Sequence, residues 1–369
     1  MRHIYQAKGT TIVEQYRDVG RLFAPTIQKS VSKLARKRAF LTKRRREVAE
    51  KAWLNLQDKT VADEFIQCLT AWSEGASITC EQAMWLMADN LTGCQTFMGR
   101  YGSGVALLHS EEEFIDVNHI EQHMTDPHTV AFNEDGVVSK SLVYNDLLPG
   151  AGLYGWKKDM IIAVDSLFLS EDAIEMVERP LLANVVSWLA WRMKPDEASP
   201  EKIVELAGEL GELIDGYTLN VVRKIGKEIE AYKLTLARSE YKIKYLGSEP
   251  GSFLRQVNII DPKYPKMKWA LPPKKIWRGG WKYFVNRLKT LDEHAEKYKQ
   301  LGQVSLTGND LEEVHKLIQK AIFVDLREAY INLDVGAVCV GLVDQSGTSV
   351  STKLNDDRDV GVLEYTDQT

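Results

Sequence analysis

Asn90-Leu-Thr-Gly-Cys-Gln-Thr-Phe97 is the stretch on which the reading of this chain turns. Its Gly93–Cys94 step stands at the entrance to a short apolar segment. Cutting the peptide bond before Cys94 would turn an ordinary side-chain thiol into an N-terminal cysteine. Such a residue carries a nucleophile and a general base, its own α-amine, on one amino acid. Residues 1–93 would then be a pro-segment, released or retained after the cut, and 94–369 the catalytic domain.

The composition changes at this point. Upstream, residues 11–93 read as helical: Ile27, Val31, Leu34, Leu41, Val48 and Ala52 recur at helical spacing. A second helix is predicted over Val61–Trp72, stopping near Gly75 with Ser73-Glu-Gly-Ala76 as connector, and a third over Cys80–Ala88. Downstream, Gln95–Met98 and Val105–His109 flank the Gly-rich run Gly99–Gly104, a hairpin signature. Strands are predicted at Thr129–Phe132, Lys140–Val143 and Met160–Val164, and residues 171–214 return to helical periodicity, broken near Pro195–Pro200. Tyr217–Arg223 and Glu228–Ala237 make a second hairpin, Lys282–Leu301 and Asp310–Lys320 further helices, and Ala337–Val343 and Thr348–Thr352 a last hairpin. The class is α+β; the pattern by itself does not choose among α+β layouts.

The bulk numbers narrow the function. A chain of 369 residues with 44% hydrophobic and 27% charged residues builds a folded core, which excludes disorder. A formal charge of −5 gives no global signal for nucleic acid or an anionic membrane. No apolar stretch suits a signal peptide or a membrane span, so the expected location is the cytoplasm. The four cysteines, Cys68, Cys80, Cys94 and Cys339, have neither zinc-type nor disulfide-framework spacing, and thiols are expected. His119, His123 and His128 invite a metal reading, but the segment is polar and broken by Pro127, so surface histidines are expected and no metal or cofactor is assigned. Nine Lys and Arg residues and no acid fall between Lys29 and Arg46; a solvated helix face is the plain reading, and an acidic partner or nucleic acid the alternative.

Gly93-Cys-Gln-Thr-Phe-Met98 followed by Gly104-Val-Ala-Leu-Leu-His-Ser-Glu-Glu112 resembles the start of the mature chain in the acyl-CoA:isopenicillin N acyltransferase group of N-terminal-nucleophile hydrolases, relatives of choloylglycine hydrolase and penicillin V acylase. Three further blocks are similar and fall in the family's order: Ala71-Trp-Ser-Glu-Gly-Ala-Ser77, Leu148-Pro-Gly-Ala-Gly-Leu-Tyr-Gly-Trp156 with Ala163-Val-Asp-Ser-Leu167, and Leu254-Arg-Gln-Val-Asn258. The resemblance implies a four-layer αββα sandwich, made as a precursor and cut between Gly93 and Cys94. It implies a linear amide C–N hydrolase or amide acyltransferase working through a Cys94 thioester on a small molecule or peptide, with acyl-CoA as a conceivable donor and the cleaved fragments staying associated. By the same resemblance Asn258 would supply the oxyanion donor and Glu112 would hold the new amine, unless the longer Glu side chain leaves that role to Glu111 or Glu113. His109, Tyr154, Asp165 and Arg287 would support the site or touch substrate. Ser110, Glu112 and Asp165 stand where the family usually has Asn, Asp and Asn. These departures keep open a catalytically weakened binding or scaffold protein.

Overall fold

The computed structural model describes residues 4–36, 40–89, 93–114, 127–152, 154–167, 177–257 and 333–354, with 267, 288, 289 and 292. Six α-helices appear among them: α1 (Ile12–Arg36), α2 (Phe40–Leu56), α3 (Asp63–Ala76), α4 (Cys80–Asp89), α5 (Ala183–Arg192) and α6 (Pro200–Leu210). The strands are β1 (Tyr5–Gln6), β2 (Gly93–Tyr101), β3 (Gly104–Phe114), β4 (Pro127–Glu134), β5 (Val137–Tyr144), β6 (Tyr154–Lys157), β7 (Met160–Leu167), β8 (Pro180–Leu181), β9 (Glu212–Leu213), β10 (Gly216–Ile225), β11 (Glu228–Ala237), β12 (Glu240–Tyr245), β13 (Phe253–Val257), β14 (Leu333–Asp344) and β15 (Gly347–Leu354). Eight strands form one sheet in the order β1-β4-β5-β6-β7-β10-β11-β12, and five form another in the order β13-β2-β3-β14-β15.

Strand alternation decides how these layers meet. In β10, Tyr217, Leu219 and Val221 join a core with Val19 and Ile27 of α1, Leu69 and Trp72 of α3 and Trp188 of α5. The next residue, Val222, faces the other way, with Ile161 and Ala163 of β7, and meets Met98, Val105 and Leu107 of the five-stranded sheet. Helices thus cover one face of the large sheet, and the small sheet covers the other. Three of the four layers expected for an αββα sandwich are described. The predicted helices Lys282–Leu301 and Asp310–Lys320, on which a fourth would depend, lie outside the described residues except at Leu288, Lys289 and Asp292.

The segment before Cys94 is built into this core. β1 adds a parallel strand to β4, pairing Tyr5 with Val130. The Gln15 side chain amide donates to Asn133 O at 2.7 Å and its carbonyl accepts from Asn133 N at 2.9 Å. Tyr16, fully buried, donates to Pro149 O at 2.8 Å, accepts from Trp188 Nε1 at 2.7 Å and stacks on Phe132.

Several sequence expectations change. The helix does stop near Gly75, but Ser73–Ala76 belong to it and are not a connector: α3 runs to Ala76 and is capped by Ser77, which takes a left-handed conformation with φ 57°. The glycine instead serves packing. A Cβ on Gly75 would lie 2.2 Å from Arg17 O, and one on Gly20 would lie 2.1 Å from Trp72 O, so α1 and α3 cross with their backbones in contact. The hairpin after Cys94 is longer and tighter than expected, with Tyr101 paired to Gly104 and a left-handed Gly102 in the turn. The stretch 171–214, read as helical, also holds the two-residue strands β8 and β9, which pair in parallel. Strands β1, β6 and β12 were not anticipated.

Among the described residues no helix is long and apolar enough to cross a membrane. The α1–α3 crossing yields a paired prediction. Gly75→Ala should lower the melting temperature, at a cost of about 1–3 kcal/mol for overpacking. Gly208→Ala in α6, where a Cβ would meet nothing within 4 Å, should raise stability by up to about 1 kcal/mol. Thermal melts of the two variants check this; equal shifts would contradict it.

Candidate active site

β2 brings Cys94 to the boundary between the two sheets. Cys94, Thr96 and Met98 alternate along the strand with Gln95 and Phe97, and Met98 packs in the core between the sheets. The Cys94 side chain is completely buried. Its Sγ accepts a hydrogen bond from the backbone N–H of Ser166 on β7 at 3.3 Å. Among the described residues the β6–β7 ladder runs from Lys157–Met160 to the Tyr154–Ala163 pair and does not include Ser166.

One step further along β2 lies a buried polar cluster. Thr96 Oγ1 donates to Asp165 Oδ2 at 2.7 Å and stands 2.8 Å from His109 Nδ1. The single hydroxyl proton is committed to the carboxylate, so the threonine oxygen accepts from His109, which assigns a proton to Nδ1. Asn220 Nδ2 on β10 donates to the same Oδ2 at 2.6 Å. All four side chains are at most 1% exposed. Asp165 Oδ1 has no hydrogen-bond partner among the described residues. Burial pushes the Asp165 carboxyl above its ordinary range, against the opposing pull of the His109 charge and the hydrogen bonds from Thr96 and Asn220.

Two more groups tie the sheets together nearby. Tyr154 of β6 donates to Leu107 O at 3.3 Å, its ring centroid 6.2 Å from that of His109, and burial holds its phenol far above the usual range. Lys233 of β11 donates to Gln256 Oε1 at 2.7 Å and Arg255 O at 2.9 Å, joining β11 to β13. The close approach is possible because Gly341 lacks a side chain: a Cβ there would lie 2.5 Å from the Tyr154 hydroxyl.

Of the residues singled out in the sequence, Cys94, His109, Tyr154 and Asp165 therefore meet at one interface. Gly93 pairs with Glu112 in the ladder, while the backbone partner of Cys94 is Glu111. The side chain of Glu112, together with Asn258 and Arg287, lies outside the described residues, as do His119 and His123. His128 packs edge-on against Phe23 of α1, with centroids 5.2 Å apart. Among the described residues no group of three or more His, Cys, Asp or Glu side chains could hold a metal ion. In the basic run, Arg46 donates to Leu34 O and lies over the Trp85 ring, and Lys43 pairs with Glu47.

Thr96, Ser166, Asn220 and Lys233 were missed by sequence reasoning. The one available signal was a polar residue at an inward position of an otherwise apolar strand, as in Tyr217-Thr-Leu-Asn-Val-Val222. For Ser166 there was no signal, because its contribution is a backbone amide.

No protein-family model matches this chain, and no curated protein is similar to it in sequence. Among solved structures it is similar to a mutant of Anbu from Hyphomicrobium sp. strain MC1, with 10% identity and a TM-score of 0.31, covering 68% of this chain and 82% of that one. A likeness of that grade carries no argument about activity.

The buried carboxyl leads to a pH prediction. A folded-state pKa raised above the unfolded value of about 3.9 means that the native state binds the proton more tightly. The contribution to stability is full below that value and is lost as pH rises through the folded pKa. Asp165→Asn should remove this slope, so its melting temperature should gain on the native protein's as pH rises from about 4. Melting curves that stay parallel across the range would contradict it.

Proposed function

We propose that the chain is a self-processing cysteine amidohydrolase or acyltransferase, acting on a linear amide of a small molecule or peptide. The observation that carries this reading is the setting of Cys94. Its thiol lies at the second position of a strand between two packed sheets, and an amide N–H is aimed at the sulfur.

In maturation, Cys94 Sγ attacks the Gly93 carbonyl and the Gly93–Cys94 C–N bond breaks. The acyl group moves to sulfur and the nitrogen becomes a free amine. Water then hydrolyses the thioester and regenerates the thiol. Glycine suits position 93, having no side chain to block the approach. In turnover the same thiol attacks a substrate amide. The α-amine takes the thiol proton and passes it to the leaving nitrogen; its ordinary pKa near 8 fits that work. Water completes hydrolysis, and an amine acceptor would divert the acyl group to transfer; an acyl-CoA would act as donor instead, loading its acyl group on the Cys94 thiol and releasing free CoA thiol. Asn258 is the proposed oxyanion donor and Glu112 the proposed anchor for the amine.

Residues 1–93 are proposed to stay bound after the cut, because α1, α3 and α4 share one core with the large sheet. A second reading, a binding or scaffold protein without turnover, is favoured by the complete burial of the Cys94 side chain.

Intact-mass measurement on purified protein distinguishes them. Two co-eluting fragments divided before Cys94 are expected, and Cys94→Ala should remain one chain. A native protein that stays whole while hydrolysing amides at full rate would remove the self-processing mechanism; a whole and inactive one would favour the scaffold.

A further inference from the structure

The contacts between β2 and β7 come in a pair. Asp165 and Ser166 are adjacent on β7, and Cys94 and Thr96 lie on one face of β2. The Asp165 carboxylate accepts from the Thr96 hydroxyl, while the Ser166 amide donates to Cys94 Sγ. The two strands belong to different sheets, so no backbone ladder fixes their separation. Apolar packing of Met98 on Ile161 and Ala163 holds the sheets together, and these two contacts fix the position of β7 at the thiol.

We propose that Asp165 is a positioning residue for Cys94, clamping β7 against β2 so that the Ser166 N–H stays on the thiol. The clamp is held from several sides. Asn220 Nδ2 donates to the same carboxylate oxygen from β10, and His109 on β3 contacts Thr96 from its other side. The charged groups whose fields act on the carboxylate are His109 from β3 and Lys233 from β11. The backbone partner of Cys94 on β3 is a further acid, Glu111. An N–H directed at sulfur stabilises the thiolate relative to the thiol. The cluster therefore sets the pH at which Cys94 becomes a nucleophile. A threonine–carboxylate contact placed one step from the thiol does this without touching a substrate.

The inference rests on Cys94 being the nucleophile, but it can be measured on the thiol alone. The native full-length chain is compared with Thr96→Val, Thr96→Ser and Asp165→Ala. Thr96→Val keeps the shape and removes the hydroxyl; Thr96→Ser keeps the hydroxyl. For each, the rate of Cys94 modification by methyl methanethiolsulfonate is followed against pH by mass spectrometry, and cleavage before Cys94 by intact mass. In Thr96→Val and Asp165→Ala the midpoint of reactivity should rise by about one pH unit and the rate fall about tenfold, the scale of one hydrogen bond to a charged group. Thr96→Ser should behave as native. Melting temperatures that fall in the variants while the midpoints stay native would reduce the cluster to a structural role and overturn the proposal. Shifted midpoints in a chain that is never cut would uphold the clamp and reject self-processing. Unshifted midpoints in a chain that is cut would do the reverse. If Asp165→Ala fails to fold, the Val and Ser variants at position 96 decide the matter alone.

Discussion

The large sheet must be covered on both faces, and everything else in the molecule follows from how that is done. Its strands are apolar toward the helices, with Leu219, Val221, Tyr232 and Leu234, and mostly apolar toward the small sheet, with Ile161, Ala163, Val222 and Ala231. A sheet with two apolar faces cannot be left open to water. The helical cover comes largely from residues before Cys94. Each large side chain that α1 and α3 bury, among them Tyr16, Val19, Ile27, Leu69 and Trp72, contributes about 1.5–3 kcal/mol. Separating that segment would cost a large part of the stability of the whole. A cut before Cys94 is compatible with this architecture only if both pieces remain together.

The second face explains why the polar cluster stands out. Between the sheets the contacts are chiefly aliphatic and aromatic, yet Thr96, His109, Asp165 and Asn220 are linked by hydrogen bonds across four strands. Burying a carboxylate is costly unless hydrogen bonds and opposite charge compensate it. Thr96 and Asn220 supply hydrogen bonds to Oδ2 and the charges of His109 and Lys233 act on the carboxyl, while Oδ1 is left without a partner among the described residues. Stability alone would be served as well by an apolar quartet. The arrangement sits one residue pair from a buried cysteine whose sulfur receives a backbone N–H from the strand the cluster holds.

Much of this was legible in the chain, and the parts that were not have a common cause. The hairpins around Gly102, Gly226 and Gly347 were visible because alternating strands flank a turn residue, and all three glycines take positive φ. Strands β1, β8 and β9 have two residues each, too few for any periodicity, and are held by parallel partners far away in sequence. The helix was expected to stop near Gly75 because glycine commonly follows a helix end. Only Gly20 on the other helix shows that it admits a close crossing here. At the site, Cys94 was marked by its preceding glycine, whereas Asn220 and Lys233 look like ordinary polar residues in strands.

By itself the amino-acid sequence determined the α+β class, the helical character of the segment before Cys94, the main hairpins and the cysteine to look at. These are local properties: periodicity of 3.6 or 2, turn chemistry, and a Gly–Cys step. Tertiary structure alone decided that the N-terminal helices share a core with the strands after the cysteine. It alone brought Thr96, His109, Asp165 and Asn220 together and laid the Ser166 amide on the Cys94 sulfur. Those contacts join β2 and β3 of one sheet to β7 and β10 of the other, and the packing of two faces across an interface is not written in the order of residues along either.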